Sequence, residues 1–220
     1  MSIAFDNDLD VQSAVQDELA WTPDVDAEDI GVAVRAGTVE LFGQVDSYAE
    51  KVAAEKAAHR VRGVRTIVNE IRVHPKIDRP VSSDDIAKEV DRALLWAVNV
   101  PSTVQAEVDD HVVTLTGDVD WDFQRKAAVR SVQHLYGVHD VNDKMSLRER
   151  PAAADTEQRI RRAIERNAEL DANTIHVTTA GNTVTLTGTV NSWAEKQQAS
   201  RTAWASPHVL DVQNEIVVRA

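Results

Sequence analysis

Three strand-and-turn segments at fixed spacing decide what this chain can fold into. Glu40-Leu41-Phe42 runs into Gly43-Gln44-Val45, Thr114-Leu115-Thr116 into Gly117-Asp118-Val119, and Thr185-Leu186-Thr187 into Gly188-Thr189-Val190. The offsets are 74 and then 71 residues. They also superpose Gly63-Val64, Gly137-Val138 and His208-Val209, then Asn69, Asp143 and Asn214. Self-similarity at such a period marks a tandem array of one supersecondary unit and argues against a single large mixed domain. Each copy spans roughly 65 residues. A module of that size buries only about 60% of its unfolded surface, so neighbours are expected to help.

Each copy opens with an apolar stripe at helical spacing: Val11, Val15 and Leu19; Ile86, Val90 and Leu94; Ile160 and Ile164. Two alternating strands follow, with Ile30, Val32 and Val34 leading to Val39, Leu41 and Val45. Their counterparts are Val104, Ala106, Val108, Val113, Leu115 and Val119, then Ile175, Val177, Val184, Leu186 and Val190. Period-two alternation buries one face of a sheet and leaves the other wet. A second helix starts at Ser47-Tyr48-Ala49-Glu50 and at Ser192-Trp193-Ala194-Glu195, both matching the capping box. The middle copy has Trp121-Asp122-Phe123-Gln124 there and lacks the hydroxyl. Ala54, Ala58 and Val61 mark the buried stripe of this helix, as do Ala128, Val132 and Leu135, and Ala199, Ala203 and Ser206. Small side chains let it sit close to the sheet, and Gly43, Gly117 and Gly188 are expected to serve that same approach.

A third strand closes each copy, through Ile67 to Val73, Val141 to Leu147 and Val212 to Val218. The fold class is therefore α+β. It comprises three tandem α-β-β-α-β modules over residues 8–74, 82–148 and 154–219, each with two helices on one face of a three-stranded mixed sheet. Proline-bearing, fairly stiff linkers are expected at His74-Pro75-Lys76-Ile77-Asp78-Arg79-Pro80 and at Arg148-Glu149-Arg150-Pro151-Ala152-Ala153-Ala154. At the first hairpin of each copy Gly37, His111 and Asn182 fall at equivalent positions, which predicts positive φ at all three.

The chain has no cysteine, which excludes disulfides, thiolate nucleophiles and sulfur-ligated metals. Its net charge of −12 disfavours nucleic acid as a partner. That charge is uneven: residues 1–78 carry 15 acidic against 8 basic side chains, 79–150 carry 13 against 9, and 151–220 carry 8 against 7. The last copy is thus expected to meet the least repulsion from an anionic surface. The first residues hold no basic n-region or apolar h-region, and no apolar run is long enough to span a bilayer. The resulting expectation is a cytoplasmic protein that is not transmembrane.

Residues 41–45 and 63–71 follow the pattern apolar-x-G-x-apolar, a spacer helix, then G-V-x-x-V-x-N-x-apolar. Residues 115–119 with 137–143 and 186–190 with 208–214 repeat it, with Asp143 in place of asparagine and His208 in place of glycine. In this the chain resembles the BON module, named for bacterial OsmY and nodulation proteins, and the likeness covers nearly the whole sequence. The resemblance implies a non-enzymatic module of osmotic-shock and envelope-stress proteins that associates with phospholipid surfaces or small ligands. Familiar members are exported. Gly43, Gly117, Gly188, Gly63, Gly137, Asn69, Asp143 and Asn214 are then its structural motif.

No catalytic, cofactor or metal site is expected. No Gly-rich phosphate loop or HExxH spacing occurs, and Asp118, Asp120 and Asp122 lack the downstream residues of a calcium loop. These carboxylates read as a water-facing helix start, and His134 and His139 as surface histidines. Asn69, Asp143 and Asn214 share the parity of buried strand residues and so need partners, which favours a hydrogen bond tying strand to loop. Lys51, Lys56, Arg60, Arg62 and Arg65 form the most basic stretch. They read either as a solvated helix face or as a contact for lipid headgroups. Arg161 and Arg162 are expected to pair with Glu165. Trp193 and Trp204 lie eleven residues apart on one helix face outside the alanine stripe. They fit an interaction surface, or packing against a neighbouring unit. The chain therefore reads as an association protein for a phospholipid surface or a protein partner. The alternative is a small-ligand or ion sensor with sites between modules.

Overall fold

The structure is a computed structural model and describes residues 8–76 and 81–219. The start of the chain and the linker residues Ile77-Asp78-Arg79-Pro80 lie outside the described residues. The first unit runs α1 (Asp8–Trp21), β1 (Ile30–Arg35), β2 (Thr38–Val45), α2 (Tyr48–Arg60) and β3 (Thr66–Val73). The second has α3 (Ser83–Trp96), β4 (Gln105–Asp109), β5 (Val112–Thr116), β6 (Asp118–Val119), α4 (Asp122–Val132), β7 (Asp140–Asp143) and β8 (Ser146–Leu147). The third has α5 (Thr156–Glu165), β9 (Ile175–Ala180), β10 (Thr183–Val190), α6 (Trp193–Trp204), β11 (Asp211–Asn214) and β12 (Val217–Val218).

In every unit the middle strand pairs antiparallel with the strand before it and parallel with the strand after α2, α4 or α6. Parallel pairing needs a crossover of a dozen or more residues, and those helices supply it. The register is common to all three, with Thr38 opposite Thr66, Val112 opposite Asp140 and Thr183 opposite Asp211. Val11, Val15 and Leu19 are buried, as are Ile86, Val90 and Leu94, and Ile160 and Ile164. Ala54, Ala128 and Ala199 are fully buried where the second helix meets the sheet. Each buried Val, Leu or Ile contributes about 1.5–3 kcal/mol, enough in a small core for every one to count.

The helix starts follow from their caps. Ser47 Oγ accepts from the Glu50 N–H and Ser192 Oγ from the Glu195 N–H, each at 3.2 Å. The middle unit, without the hydroxyl, keeps the other half of the arrangement. Gln124 Oε1 accepts from the backbone N–H groups of Asp120 and Trp121 at 2.8 and 3.0 Å.

Two expectations are corrected. Gly43, Gly117 and Gly188 have φ of 117°, 113° and 122°, but their close approach is not to a helix. A Cβ there would lie 2.1, 2.1 and 1.9 Å from the carbonyl oxygens of Asp29, Thr103 and Thr174, at the entry to the preceding strand. The strand crosses a backbone so closely that only a missing side chain fits. At the hairpins Gly37 and His111 have positive φ (75° and 66°), preceded by Ala36 and Asp110, also positive, as a type I′ turn requires. Asn182 does not: Gly181 takes the positive φ of 62° there, the pattern of a type II′ turn. With glycine available one residue earlier, the asparagine is freed for a different task. Its Nδ2 donates to the carbonyls of His208 (2.7 Å) and Arg150 (3.0 Å). In the second unit the His111 ring does the equivalent work, with Nδ1 at 2.8 Å from the Gly137 carbonyl.

Candidate functional site

The outer faces of the second helices are where the three units meet. Trp193, in the first turn of α6, stacks on His59 near the end of α2 with ring centroids 4.1 Å apart and planes 3° from parallel. Lys196 Nζ lies 5.0 Å from the same indole. Trp204, at the other end of α6, meets the Arg125 guanidinium of α4 at 5.2 Å. Tyr48, at the start of α2, packs on the core of the second unit. Its hydroxyl meets Asp140 and the Val141 backbone, and burial first, then Asp140, holds its pKa above the ordinary value. Arg150 joins the second and third units, donating to Pro207 O (3.0 Å) and Asp120 O (2.6 Å) and lying 4.5 Å from the Trp121 ring. Each unit thus touches both others, and the two tryptophans, read from sequence as an interaction surface or as packing against a neighbouring unit, pack against neighbouring units.

The meeting of α2 and α6 leaves a groove of about 480 Å³. Lys56, His59, Arg60 and Arg62 line its first-unit wall, Ser192, Trp193, Glu195 and Gln197 the opposite wall. Three of the five basic residues singled out from sequence, Lys56, Arg60 and Arg62, are therefore brought beside Trp193. Lys51 and Arg65 do not line it. Arg60 is paired with Glu18 of α1 at 2.6 Å and also donates to Thr22 Oγ1. His59 Nδ1 and Trp193 Nε1 are buried with no hydrogen-bond partner. Burial pushes the His59 pKa below its ordinary value, with Lys196 adding to this and Glu55 opposing it.

The largest exposed apolar side chains sit elsewhere. Trp21 ends α1 and is 83% exposed; Leu95 and Trp96 end α3 at 82% and 78%, and Val98 just beyond is 97% exposed. The equivalent places in the third unit hold Arg166, Asn167 and Glu169. These apolar ends escaped the repeat-based reading, which looked for differences on the second helices. The signal was present, because Leu95 and Trp96 fall outside the buried Ile86-Val90-Leu94 stripe.

The family model described as the BON domain matches residues 7–75, 82–149 and 152–220. The chain belongs to the BON domain family. It is 29% identical over 150 residues to the osmotically-inducible protein Y of Escherichia coli (strain K12), covering 64% of this chain and 75% of that protein. Among solved structures it is similar to CdsD, a structural protein of the type III secretion system of Chlamydia trachomatis. That match has 12% identity and a TM-score of 0.27, covering 96% of this chain and 92% of that one. A second is the PrgH periplasmic domain, at 10% identity and TM-score 0.25, covering 88% and 96%. Scores of that size carry no argument about fold or function.

Within each BON unit the motif residues have structural work. Gly63 and Gly137 turn the chain into the last strand with φ of 90° and 86°, while His208 makes the same turn without positive φ, its Nδ1 2.9 Å from Pro151 O. Asn69, Asp143 and Asn214 accept from the N–H two residues on, at Ile71, Met145 and Ile216. Their other atoms reach the second helix rather than a loop, at Glu55, Arg125 and the Lys196 carbonyl. The bond therefore ties strand to helix. Asp122 does not face water: it is buried and paired with Arg125 and Lys126. Asp120 meets Arg148 and Arg150. His139 stacks on His111 at 4.3 Å, so it is not a free surface histidine. Arg161 pairs with Glu157, one turn before it, rather than with the expected Glu165 one turn after it. Among the described residues no group of three acidic or histidine side chains could hold a metal, and no helix is long and apolar enough to cross a membrane.

Proposed function

We propose that this BON-family chain is a non-enzymatic, stress-related association protein that docks on phospholipid surfaces through the ends of α1 and α3. The observation carrying this reading is the exposure of Trp21, Leu95, Trp96 and Val98 at matching ends of two first helices. Folded chains rarely leave such side chains bare without a use, and tryptophan suits the headgroup boundary, where one side of the ring is apolar and the other wet. The stress connection is supported by the likeness to osmotically-inducible protein Y. Charge refines the choice of surface. The two units bearing the apolar ends are the acidic ones, and each acidic group near an anionic leaflet costs about what a basic one there contributes, roughly 1 kcal/mol. Neutral, zwitterionic vesicles are therefore the preferred target.

Flotation with phosphatidylcholine vesicles, with and without added phosphatidylglycerol, tests this. The full chain is expected to float with the neutral vesicles, and less with the anionic ones at low salt. Trp21→Ser/Trp96→Ser should abolish flotation. A chain that stays at the bottom of the gradient with every vesicle overturns the lipid reading and leaves a protein partner for the same apolar ends.

A further inference from the structure

We infer that the groove between α2 and α6 is a binding site for a small oxyanion, a phosphate group foremost, held by Lys56, Arg62 and the indole N–H of Trp193. The inference is independent of vesicle docking, since Trp21, Leu95, Trp96 and Val98 take no part in the groove. Its first support is charge. In a chain of net charge −12, this groove is lined by Lys56, Arg60 and Arg62 against the single carboxylate of Glu195. Glu195 is already engaged, accepting from the Asn191 N–H at 3.1 Å and from Ser192 Oγ at 3.3 Å at the start of its own helix. Arg60 is held by Glu18. Lys56 is exposed and, among the described residues, enters no ion pair, so its charge is available to a ligand. Basic side chains facing an indole N–H donor suit the compact, multiply accepting face of a phosphate.

The second support is the pair of orphaned atoms. Trp193 Nε1 and His59 Nδ1 are buried without partners, and both residues line the groove. The rings are stacked in parallel planes, so neither can satisfy the other. Leaving a buried donor unsatisfied is costly, and such an atom calls for an explanation, a bound ion being one. An oxyanion accepts from the indole N–H while Lys56 and Arg62 neutralise it. Its site is assembled only when the first and third units are docked, because the basic side chains come from one and the indole from the other. The volume of about 480 Å³ exceeds that of a bare phosphate. It falls within the ordinary range of organic-ligand pockets, so a phosphate carrying an organic body fits.

The experiment is calorimetric titration of the full chain with inorganic phosphate and, separately, with a monomeric short-chain phosphatidic acid, against sodium chloride at matched ionic strength. Saturable binding of either is expected, and the tighter of the two identifies the source as a free phosphate or a lipid headgroup. Lys56→Glu/Arg62→Glu should weaken binding by about tenfold or more, the loss of charge-assisted hydrogen bonds. Trp193→Phe keeps a ring in the stack and removes the N–H, so it should weaken binding several-fold with circular dichroism unchanged. Lys144→Glu, outside the groove, should bind as the parent does. If the double reversal fails to fold, Lys56→Gln alone carries the test. No saturable heat with either probe, or unchanged affinity in the groove variants, overturns the inference.

Discussion

The inside of each unit and the outside of its second helix obey different rules. Inside, the three copies are interchangeable: Ala54, Ala128 and Ala199 are buried at one place, and Gly43, Gly117 and Gly188 admit a carbonyl at another. On the outer helix face the copies share nothing. Tyr48, Asp122 and Trp193 occupy one position, and His59, Gln133 and Trp204 another. Yet those unlike residues make the inter-unit contacts, Trp193 with His59 and Trp204 with Arg125. A repeated residue reports what one unit needs to fold. An unrepeated one reports how that unit is placed among its neighbours. The ends of the first helices extend the contrast: apolar and bare in two units, polar in the third.

The sharpest way to break this contrast is to attack a repeated position. Gly43→Ala, Gly117→Ala and Gly188→Ala should each cost about 3 kcal/mol or more, by adding a clash with a backbone carbonyl to a strained positive φ. Chemical denaturation of the full chain measures it, and the three losses should be alike. Markedly unequal losses contradict the view that the cores are equivalent.

Attacking the junction should cost less and be particular to one pair. Trp193→Ala removes a half-buried ring and is expected to cost about 2 kcal/mol, below the range for a fully buried aromatic. A double-mutant cycle with His59→Ala should return a coupling of about 0.5–1.5 kcal/mol. Additive effects mean that the stack contributes nothing to docking the first unit on the third.

Proton linkage gives a smaller effect at the same junction. His59 is held below its ordinary pKa chiefly by burial, and His139 likewise by burial and then by His111. Because both bind protons more readily when unfolded, their contribution is present above about pH 6.5 and is lost as pH falls below it. Thermal melts between pH 7.5 and 5.5 should therefore show declining stability, and His59→Gln should flatten part of the slope. An unchanged slope contradicts burial of a neutral His59 at the interface.

How much of this was legible in the sequence follows from the same contrast. Strand order, helix stripes and the 74- and 71-residue offsets were legible because local periodicity encodes them three times over. The function of Gly43 as a gap for the Asp29 carbonyl was not, since a sequence marks the missing side chain without saying what fills its place. Asn182 misled because Gly181 beside it absorbs the positive φ. The His59–Trp193 stack joins residues 134 positions apart whose counterparts in the other copies are unlike them, so the sequence marked Trp193 as a contact without naming its partner. Leu95 and Trp96 were readable as apolar residues off the Ile86-Val90-Leu94 stripe, which helical spacing alone marks out.

The smallest change in stability should accompany the largest change in association. Trp21→Phe and Trp96→Phe touch exposed side chains and should alter unfolding by no more than about 0.5 kcal/mol. Quenching of tryptophan emission by brominated phosphatidylcholine vesicles then tests the central claim most directly. The account predicts quenching in the full chain, loss of most of it in Trp21→Phe/Trp96→Phe, and retention in Trp193→Phe. Quenching that survives the first pair of substitutions and disappears with the last would place the association surface on α6 and contradict the account.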